Sequence, residues 1–507
     1  MSVNTKTNTQ PFKDTPHMQE LLGGVSDIPL GQICFPLKRV CKIKHDGKYK
    51  IRWVVLGNLE KVEENCYAPT ANKKVVWLVF ALSVMTGMKM RYFDIKGAFM
   101  AEKPNRDIYV TIDSKYYKLK YSLYGLKDAA KLFNEGLVNH LKAGGYCQSK
   151  WDQCLFYKRE SKGSYIYLVF HVDDFIGNST SDQLLDEFQL HMESKYEITS
   201  NDDGMFLGVQ MERYVNEISL PQVKYIFRKP HQMQNIFDKY LPSGPVISAP
   251  KDPMRESYSK LFDTEDSSPC EVTEFRSMLG AIMQLTDCRP DICFSISKIS
   301  QRQCTPRVKD RDALMHLIYY LWYTLSRSDS ASGEMLVRLR GYADCSYACH
   351  ANGKSHYSIG FDLVDEETHT DADPFTSEHK TGLFYMKSFM APNVDLSSCQ
   401  GETCAVVELA KDAIFYRGVL EELNQRQTSP TPLYGDNDSA RALGTKYVGS
   451  HKRVRYMLPK INWLMEKTKS EAIVLLRMST EVLPVDIGTK NERGSEFYKK
   501  RDRVMGS

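Results

Sequence analysis

Two adjacent carboxylates set between apolar runs constrain this chain more than any other feature. Residues 165–179 read YIYLVFHVDDFIGNS. The flanks have the length and the β-branched and aromatic content of strands. Asp173 and Asp174 therefore fall at the tip of a hairpin, partly sheltered. Neighbouring carboxylates repel, and sheltering them is costly unless cations neutralise them. Three uses would justify the pair: an ordinary β-turn, a cap for the next helix, or a divalent metal site built on hard oxygen ligands.

Asp94 adds weight to the third use. It ends an earlier apolar strand, in RYFDIKGAFM. A sheet can bring strand ends together and so gather three carboxylates at one point. Two magnesium ions held there would activate a 3′-hydroxyl and steady a leaving pyrophosphate. Phe99 follows Asp94 closely. In that geometry its ring would lie under the sugar of an incoming nucleotide and exclude a 2′-hydroxyl; otherwise it simply packs in the core.

The rest of the chain sets the frame. Its 507 residues are too many for one ordinary core, so about two to four domains are expected. The content of 42% hydrophobic and 26% charged residues fits a soluble globular protein. A net charge of +4 is small for this length, so any basic surface must be local. Thirteen cysteines without a CxxC pair favour reduced thiols in the cytosol or nucleus over a disulfide framework. CSYACH, residues 345–350, has no second half elsewhere, and a zinc centre is not expected. The polar N-terminus lacks an apolar signal-peptide core. The longest apolar run, residues 75–84, is too short to span a bilayer and reads as a buried helix.

Along the chain, residues 1–35 read as a flexible lead. Residues 36–53 alternate basic and apolar residues around an Asp46–Gly47 turn, which predicts a basic β-hairpin. Such a hairpin either grips phosphate or guards a solvated sheet edge. From 90 to 220 the pattern is strand, helix, hairpin, helix, strand: an α+β sandwich with helices on one sheet face. Residues 221–330 read as mostly helical, and SRSDSASGE, residues 326–334, as a boundary. Strands alternating with helices follow to the end. The expected domains are 1–35, 36–220, 221–333 and 334–507.

The pieces RYFDIKGAFM, SLYGLKDAAKLF, LVFHVDDFIG, FLGVQM with LPQVKYI, FRSMLGAIMQLTDCRPDI, YADCSYA, GETCAVVELA, YGDNDSARAL and VDIGTK resemble, in order, the reverse transcriptase and RNase H of copia-type LTR retrotransposons. The resemblance covers roughly residues 36 to 490. It implies a right-hand polymerase of fingers, palm and thumb followed by an α/β RNase H-like domain. It implies that Asp94, Asp173 and Asp174 hold the polymerase metals and that Phe99 is the sugar gate. Lys50 and Arg52 would hold the triphosphate. Tyr124, Gly125 and Lys127 would lie beside nucleotide and template, Phe206, Leu207 and Gly208 would form the primer grip, and the helical region would be the thumb. The implied cofactor is Mg2+, two per site, with Mn2+ as a substitute. The implied partners are an RNA template, a DNA primer, an RNA/DNA hybrid and dNTPs, with integrase or a Gag particle as company and no membrane. The implied location is a cytoplasmic virus-like particle, with nuclear entry afterwards.

A second acid set also rests on its own chemistry. Asp344 ends a strand, Glu402 opens a helix on the face of Val406, Leu409 and Ala413, Asp436 ends TPLYG, and Asp486 sits in LPVDIGTK. Four such acids can bind two metals and activate water to cut an RNA phosphodiester. His451 is a candidate proton shuttle. Several residues depart from the family pattern: His171 before VDD, Asp128 and Ala130 in KDAA, and Gln400 and Thr403 around Glu402. None removes an expected metal ligand. The alternative is a decayed or domesticated copy that binds nucleic acid without turnover. No protease motif, zinc module or integrase acid triad is found, which suits either a processed polyprotein product or a truncated copy.

Overall fold

The computed structural model describes residues 21–43, 49–60, 66–160, 163–201, 205–215, 223–228, 230–241, 250–255, 258, 268–324, 329–331, 337–365, 382–445 and 456–505. First come β1 (Leu22–Val25), β2 (Cys34–Ile43), β3 (Tyr49–Val55), α1 (Lys73–Met85), β4 (Lys89–Ile95), β5 (Tyr109–Ile112) and β6 (Lys115–Leu119). One five-stranded sheet has the order β1-β6-β5-β2-β3. The basic hairpin forms as β2 and β3, with Leu37 opposite Val55 and Lys42 opposite Lys50. Its Asp46–Gly47 turn lies outside the described residues. The expected flexible lead is corrected at its end. Leu21 and Leu22 are buried, and β1 pairs with β6 through Leu22 and Leu119. Those two leucines join the core of Val110 and Leu119, which offsets the entropy of ordering the strand.

Then follow α2 (Ala129–Ala143), β7 (Cys147–Gln148), β8 (Leu155–Arg159), β9 (Tyr165–His171), β10 (Asp174–Ser179), α3 (Asp182–Glu193) and β11 (Ile198–Asn201). β11-β4-β10-β9-β8-β7 form an antiparallel six-stranded sheet. Helices cover both of its faces, a correction to the one-sided sandwich. Tyr92, Val169 and Ile176 point into the core of α1. Their chain neighbours Phe93, Leu168 and Phe175 point into the core of α2 and α3. A strand such as YIYLVF, apolar at successive positions, has two faces to bury. The α1 helix suits that place because its residues are apolar nearly all round, and Asn72 caps it by accepting from the Lys74 amide at 3.0 Å.

Next come β12 (Met205–Phe206), β13 (Val209–Val215), β14 (Val223–Arg228), α4 (Pro230–Tyr240), α5 (Val272–Met283), α6 (Cys293–Ser300), α7 (Val308–Tyr323) and β15 (Asp329–Ala331). The region expected to be helical thus opens and closes with strands, since β14 pairs with β13 and with β15. The expected boundary itself carries β15. Residues 216–220, the end of the stretch expected to form the α+β sandwich, lie outside the described residues.

The last part contains β16 (Val337–Ser346), β17 (His356–Asp365), β18 (Tyr385–Met390), α8 (Ser398–Glu422), β19 (Thr431–Gly435), α9 (Asp438–Thr445), α10 (Leu458–Lys469), β20 (Ile473–Arg477) and α11 (Gly494–Met505). Its sheet order is β18-β17-β16-β19-β20, antiparallel on one side of β16 and parallel on the other. Long α8 covers this sheet and also docks on the six-stranded one. Trp151 lies over Gly418, where a Cβ would come within 2.1 Å of the indole. Arg159 donates to the Glu422 carbonyl at 2.7 Å, Tyr167 to the Leu423 carbonyl, and Lys74 pairs with Asp412 at 2.5 Å. One continuous apolar core runs from α1 through α8 to the last sheet.

Candidate active sites

The hairpin of β9 and β10 delivers the Asp pair through a two-residue turn. Val172 there has φ of +62°. A β-branched residue in the left-handed region is strained, and such strain gathers at functional sites. Asp174 lies directly opposite Asp94 of β4, and Ile95 N–H donates to the Asp173 carbonyl at 3.0 Å. Directly opposed residues share a sheet face with their Cβ atoms about 5 Å apart. The fold thus places the three expected carboxylates at one strand end, half-buried or exposed. Like charges so placed repel, which suits a cation between them.

The wall beside them comes from the five-stranded sheet and the loops that follow it. Gly125 has φ of +93°, and a Cβ there would sit 2.1 Å from the Val55 carbonyl oxygen. A Cβ on Gly57 would meet the Gly125 carbonyl at 1.9 Å. These two glycines allow the chains to cross, and Val55 N–H then donates to the Tyr124 carbonyl at 2.7 Å. The crossing carries Arg52 over Tyr124, guanidinium to ring centroid 5.3 Å. Phe99 packs edge-on against Tyr124 at 5.2 Å and Phe133 at 6.2 Å, half-buried. Burial raises the Tyr124 phenol, Arg52 pulls it the other way, and Asp173 and Asp94 add to the rise. That phenol therefore senses both acids and the guanidinium. Lys50 stands on β3 opposite Lys42, and its side chain lies outside the described residues.

Lys127 is used differently from the expectation. Its ammonium donates to the Glu60 carbonyl at 2.6 Å and its amide to the Glu60 carboxylate at 3.1 Å. Arg106 bridges the buried carboxylates of Glu60 and Asp128. The unusual Asp128 thus shares a cation with Glu60. Sequence reasoning missed Glu60 and Arg106, because nothing local marks either as the partner of a residue far along the chain. Phe206 is fully buried in the core that holds Val169 and Ile176. Leu207 and Gly208, at φ of +53° and +74°, make the two-residue turn to β13. His171 is half-buried; burial lowers its pKa and Asp173 opposes that.

The second acid set is tighter. Tyr342 of β16 pairs with Tyr434 of the parallel strand β19, so Asp344 and Asp436, two residues on, emerge side by side. Glu402 lies near the start of α8, which Ser397 caps through the Gln400 amide at 3.2 Å. Gln400 in turn accepts from the Leu396 amide at 2.7 Å, so this departure from the family pattern helps start the helix. Oxygens of Asp344, Glu402 and Asp436 all lie within 4.8 Å of one another. Among the described residues this is the one such trio of possible ligands; the Asp94, Asp173 and Asp174 set shares a strand end but is not drawn that close. Burial, then the charges of Asp486 and Asp436, push Asp344 up to about 7. Burial, then Asp344 and Asp436, push Glu402 up to about 9. Three hard-oxygen donors whose charges oppose one another fit a divalent cation.

Asp486 stands beside the trio but is otherwise engaged. It is fully buried in the 3-10 turn Pro484–Gly488. Lys490 and Lys500 both donate to its carboxylate. Burial would raise its pKa, but hydrogen bonds with Lys490, Lys500 and Glu492, with the charge of Lys490, outweigh it and hold the group below the ordinary range. Thr489 donates to the Asp344 carboxylate, and Thr480 to Asp436 at 2.7 Å. Thr489 and Lys490 were within reach of sequence reasoning, since they adjoin Asp486 in VDIGTK; Lys500 was not. His451 lies outside the described residues. The CSYACH histidine, His350, meets His356 and Lys298. Among the described residues no helix is long and apolar enough to cross a membrane.

Residues 24–246 match the family described as reverse transcriptase (RNA-dependent DNA polymerase). The chain is 23% identical over 502 residues to the retrovirus-related Pol polyprotein from transposon TNT 1-94 of Nicotiana tabacum, covering 94% of this chain and 36% of that protein. It is 24% identical over 481 residues to the Pol polyprotein from transposon RE1 of Arabidopsis thaliana, covering 91% and 31%. The chain thus spans about a third of these relatives. The foamy viral protease-reverse transcriptase dRH, solved in complex with double-stranded DNA, aligns with a TM-score of 0.50 at 11% identity, over 91% of this chain and 67% of that one. That likeness concerns the fold, an α+β polymerase fold. On these grounds the chain carries a reverse transcriptase domain of the kind found in copia-type Pol polyproteins.

Proposed function

We propose that this chain is an RNA- and DNA-directed DNA polymerase joined to a ribonuclease H, copying retrotransposon RNA into cDNA and degrading the RNA strand. In this reading residues 36–220, preceded by β1, are fingers and palm, 221–333 are thumb, and 334–507 are RNase H-like. The observation that carries the polymerase half is Asp94 opposite Asp174, with Asp173 on the turn, beside the Arg52, Tyr124 and Phe99 wall. Bound Mg2+ or Mn2+ would supply the positive charge that activates a primer hydroxyl and steadies the leaving pyrophosphate. Asp94, Asp173 and Asp174 would hold it. Arg52 and Lys50 would grip the triphosphate, Tyr124 and Gly125 would border the nucleotide, and Phe99 would exclude a 2′-hydroxyl. Lys127 supports this wall through Glu60. Phe206, Leu207 and Gly208 would seat the primer.

The second half rests on the Asp344, Glu402 and Asp436 trio. These residues would hold the metal that makes water a nucleophile, with Asp486 set beside them by Lys490 and Lys500. The partners would be an RNA template, a DNA primer, the RNA/DNA hybrid and dNTPs, in a Gag particle with integrase. The place would be a cytoplasmic virus-like particle with later nuclear entry. Primer extension on an RNA template with magnesium tests the first half, and hybrid cleavage tests the second. Asp173→Asn should abolish extension and spare cleavage; Asp436→Asn should do the reverse. Binding to primer-template without either turnover would instead favour the decayed copy.

A further inference from the structure

A file of buried polar groups runs from the helical region into the last domain. Lys298 of α6 and His350 and His356 of the last domain are all nearly or fully buried. Lys298 Nζ lies 3.2 Å from His350 Nδ1. His350 Nε2 lies 2.9 Å from His356 Nδ1. His356 Nε2 lies 2.8 Å from Ser388 Oγ, and Ser388 donates to the Gly488 carbonyl at 2.6 Å. Gly488 closes the turn that carries Asp486.

The proton positions follow from this pattern. A carbonyl only accepts, so the single Ser388 proton goes to Gly488. Ser388 must then accept from His356 Nε2–H, which leaves His356 Nδ1 as an acceptor. His350 Nε2–H fills it, and Lys298 fills His350 Nδ1. Every donor thus points one way, from α6 toward the Asp486 turn. Both imidazoles must be neutral, because a proton on either acceptor nitrogen would set donor against donor. Such a chain is strong when complete and costly when one link is lost. The turn is held closely as well: a Cβ on Gly488 would lie 2.1 Å from Ser358 Oγ. Beyond it, Thr489 donates to Asp344 and Lys490 to Asp486.

We propose that Lys298, His350, His356 and Ser388 are positioning residues that tie the seating of α6 to the placement of residues 486–490 at the acid trio. The proposal rests on the hybrid-cleaving reading of that trio only for its functional consequence; the physical linkage is independent of it.

The test uses the full chain with Ser388→Ala, Ser388→Thr and Lys298→Met. Hydrogen exchange is read at the Asp486 and Thr489 amides, which donate to the Leu483 and Asp486 carbonyls. Ser388→Ala should speed their exchange about ten- to hundredfold. Lys298→Met should speed it in the same direction from the far end, and Ser388→Thr should restore slow exchange. Where wild type cleaves hybrid, Ser388→Ala should lower kcat about tenfold with KM and primer extension unchanged. If wild type fails to cleave, the function assigned to the trio falls while the exchange still reads the linkage. Folded Ser388→Ala and Lys298→Met proteins with wild-type exchange at both amides would overturn the proposal.

Discussion

Replacing Gly125 by alanine tests how the wall of Arg52, Tyr124 and Phe99 is built. The new Cβ would sit 2.1 Å from the Val55 carbonyl oxygen and 3.0 Å from its nitrogen, at φ of +93°. Both neighbours are backbone, so neither can rotate away. Forcing the two chains apart costs about 1–3 kcal/mol, as other overpacked sites do. The left-handed backbone adds about 1–2 kcal/mol for a residue with a side chain. Separation also stretches the 2.7 Å bond from Val55 to Tyr124, worth about 1 kcal/mol. The total is about 3–6 kcal/mol, and Arg52 moves off Tyr124 with β3. Gly57→Ala is the internal comparison, since its Cβ meets the same crossing at 1.9 Å and its φ is not in the left-handed region. It should cost about 1–2 kcal/mol less than Gly125→Ala. The double variant should cost less than the sum, because once the chains part both clashes are relieved. Urea titration gives the stabilities, and primer extension should report a raised KM for dNTP in both single variants. A Gly125→Ala protein within about 0.5 kcal/mol of wild type, with unchanged KM, would refute the crossing as the device that positions Arg52.

Three further outcomes are expected. Arg106→Met leaves the buried Glu60 and Asp128 carboxylates without their shared cation; it should destabilise by about 3–5 kcal/mol in urea titration, and a loss under 1 kcal/mol would show that other groups neutralise them. Burial, then neighbouring Lys298, lowers His350 to about 4, and burial, then His350 and Lys298, lowers His356 to about 3; the unfolded chain takes up these protons first as pH falls below about 6.5. Stability should therefore be full above that value and fall toward pH 4 by about 1.4 kcal/mol per unit for each histidine. Wild type minus His350→Gln/His356→Gln isolates this slope from the oppositely titrating carboxylates, and a pH-independent difference would exclude it. Finally, manganese should raise the melting temperature of wild type more than that of Asp344→Asn, whereas equal shifts in calorimetry would exclude Asp344 as a ligand.

Much of both sites was legible because the signals are local. An apolar run ending in a carboxylate marks a strand end, and strand ends are where a sheet gathers side chains. That rule reached Asp94, Asp173, Asp174, Asp344 and Asp436, and the apolar face of its helix reached Glu402. The same local reading left each residue's neighbours open. It assigned Lys127 to the nucleotide, where the fold gives it to Glu60. It set Asp486 among the acids that could bind metal, where Lys490 and Lys500 both donate to it.

By itself, then, the chain determined the strands and helices that carry the acids, because backbone period and burial are encoded residue by residue; it did not mark β1, β14 or β15. Tertiary structure alone decided that Asp174 faces Asp94, that helices cover both faces of the sheet, and that α8 joins the two halves in one core. Those outcomes depend on charges and shapes far apart in sequence meeting across folded surfaces. No short-range pattern carries that information.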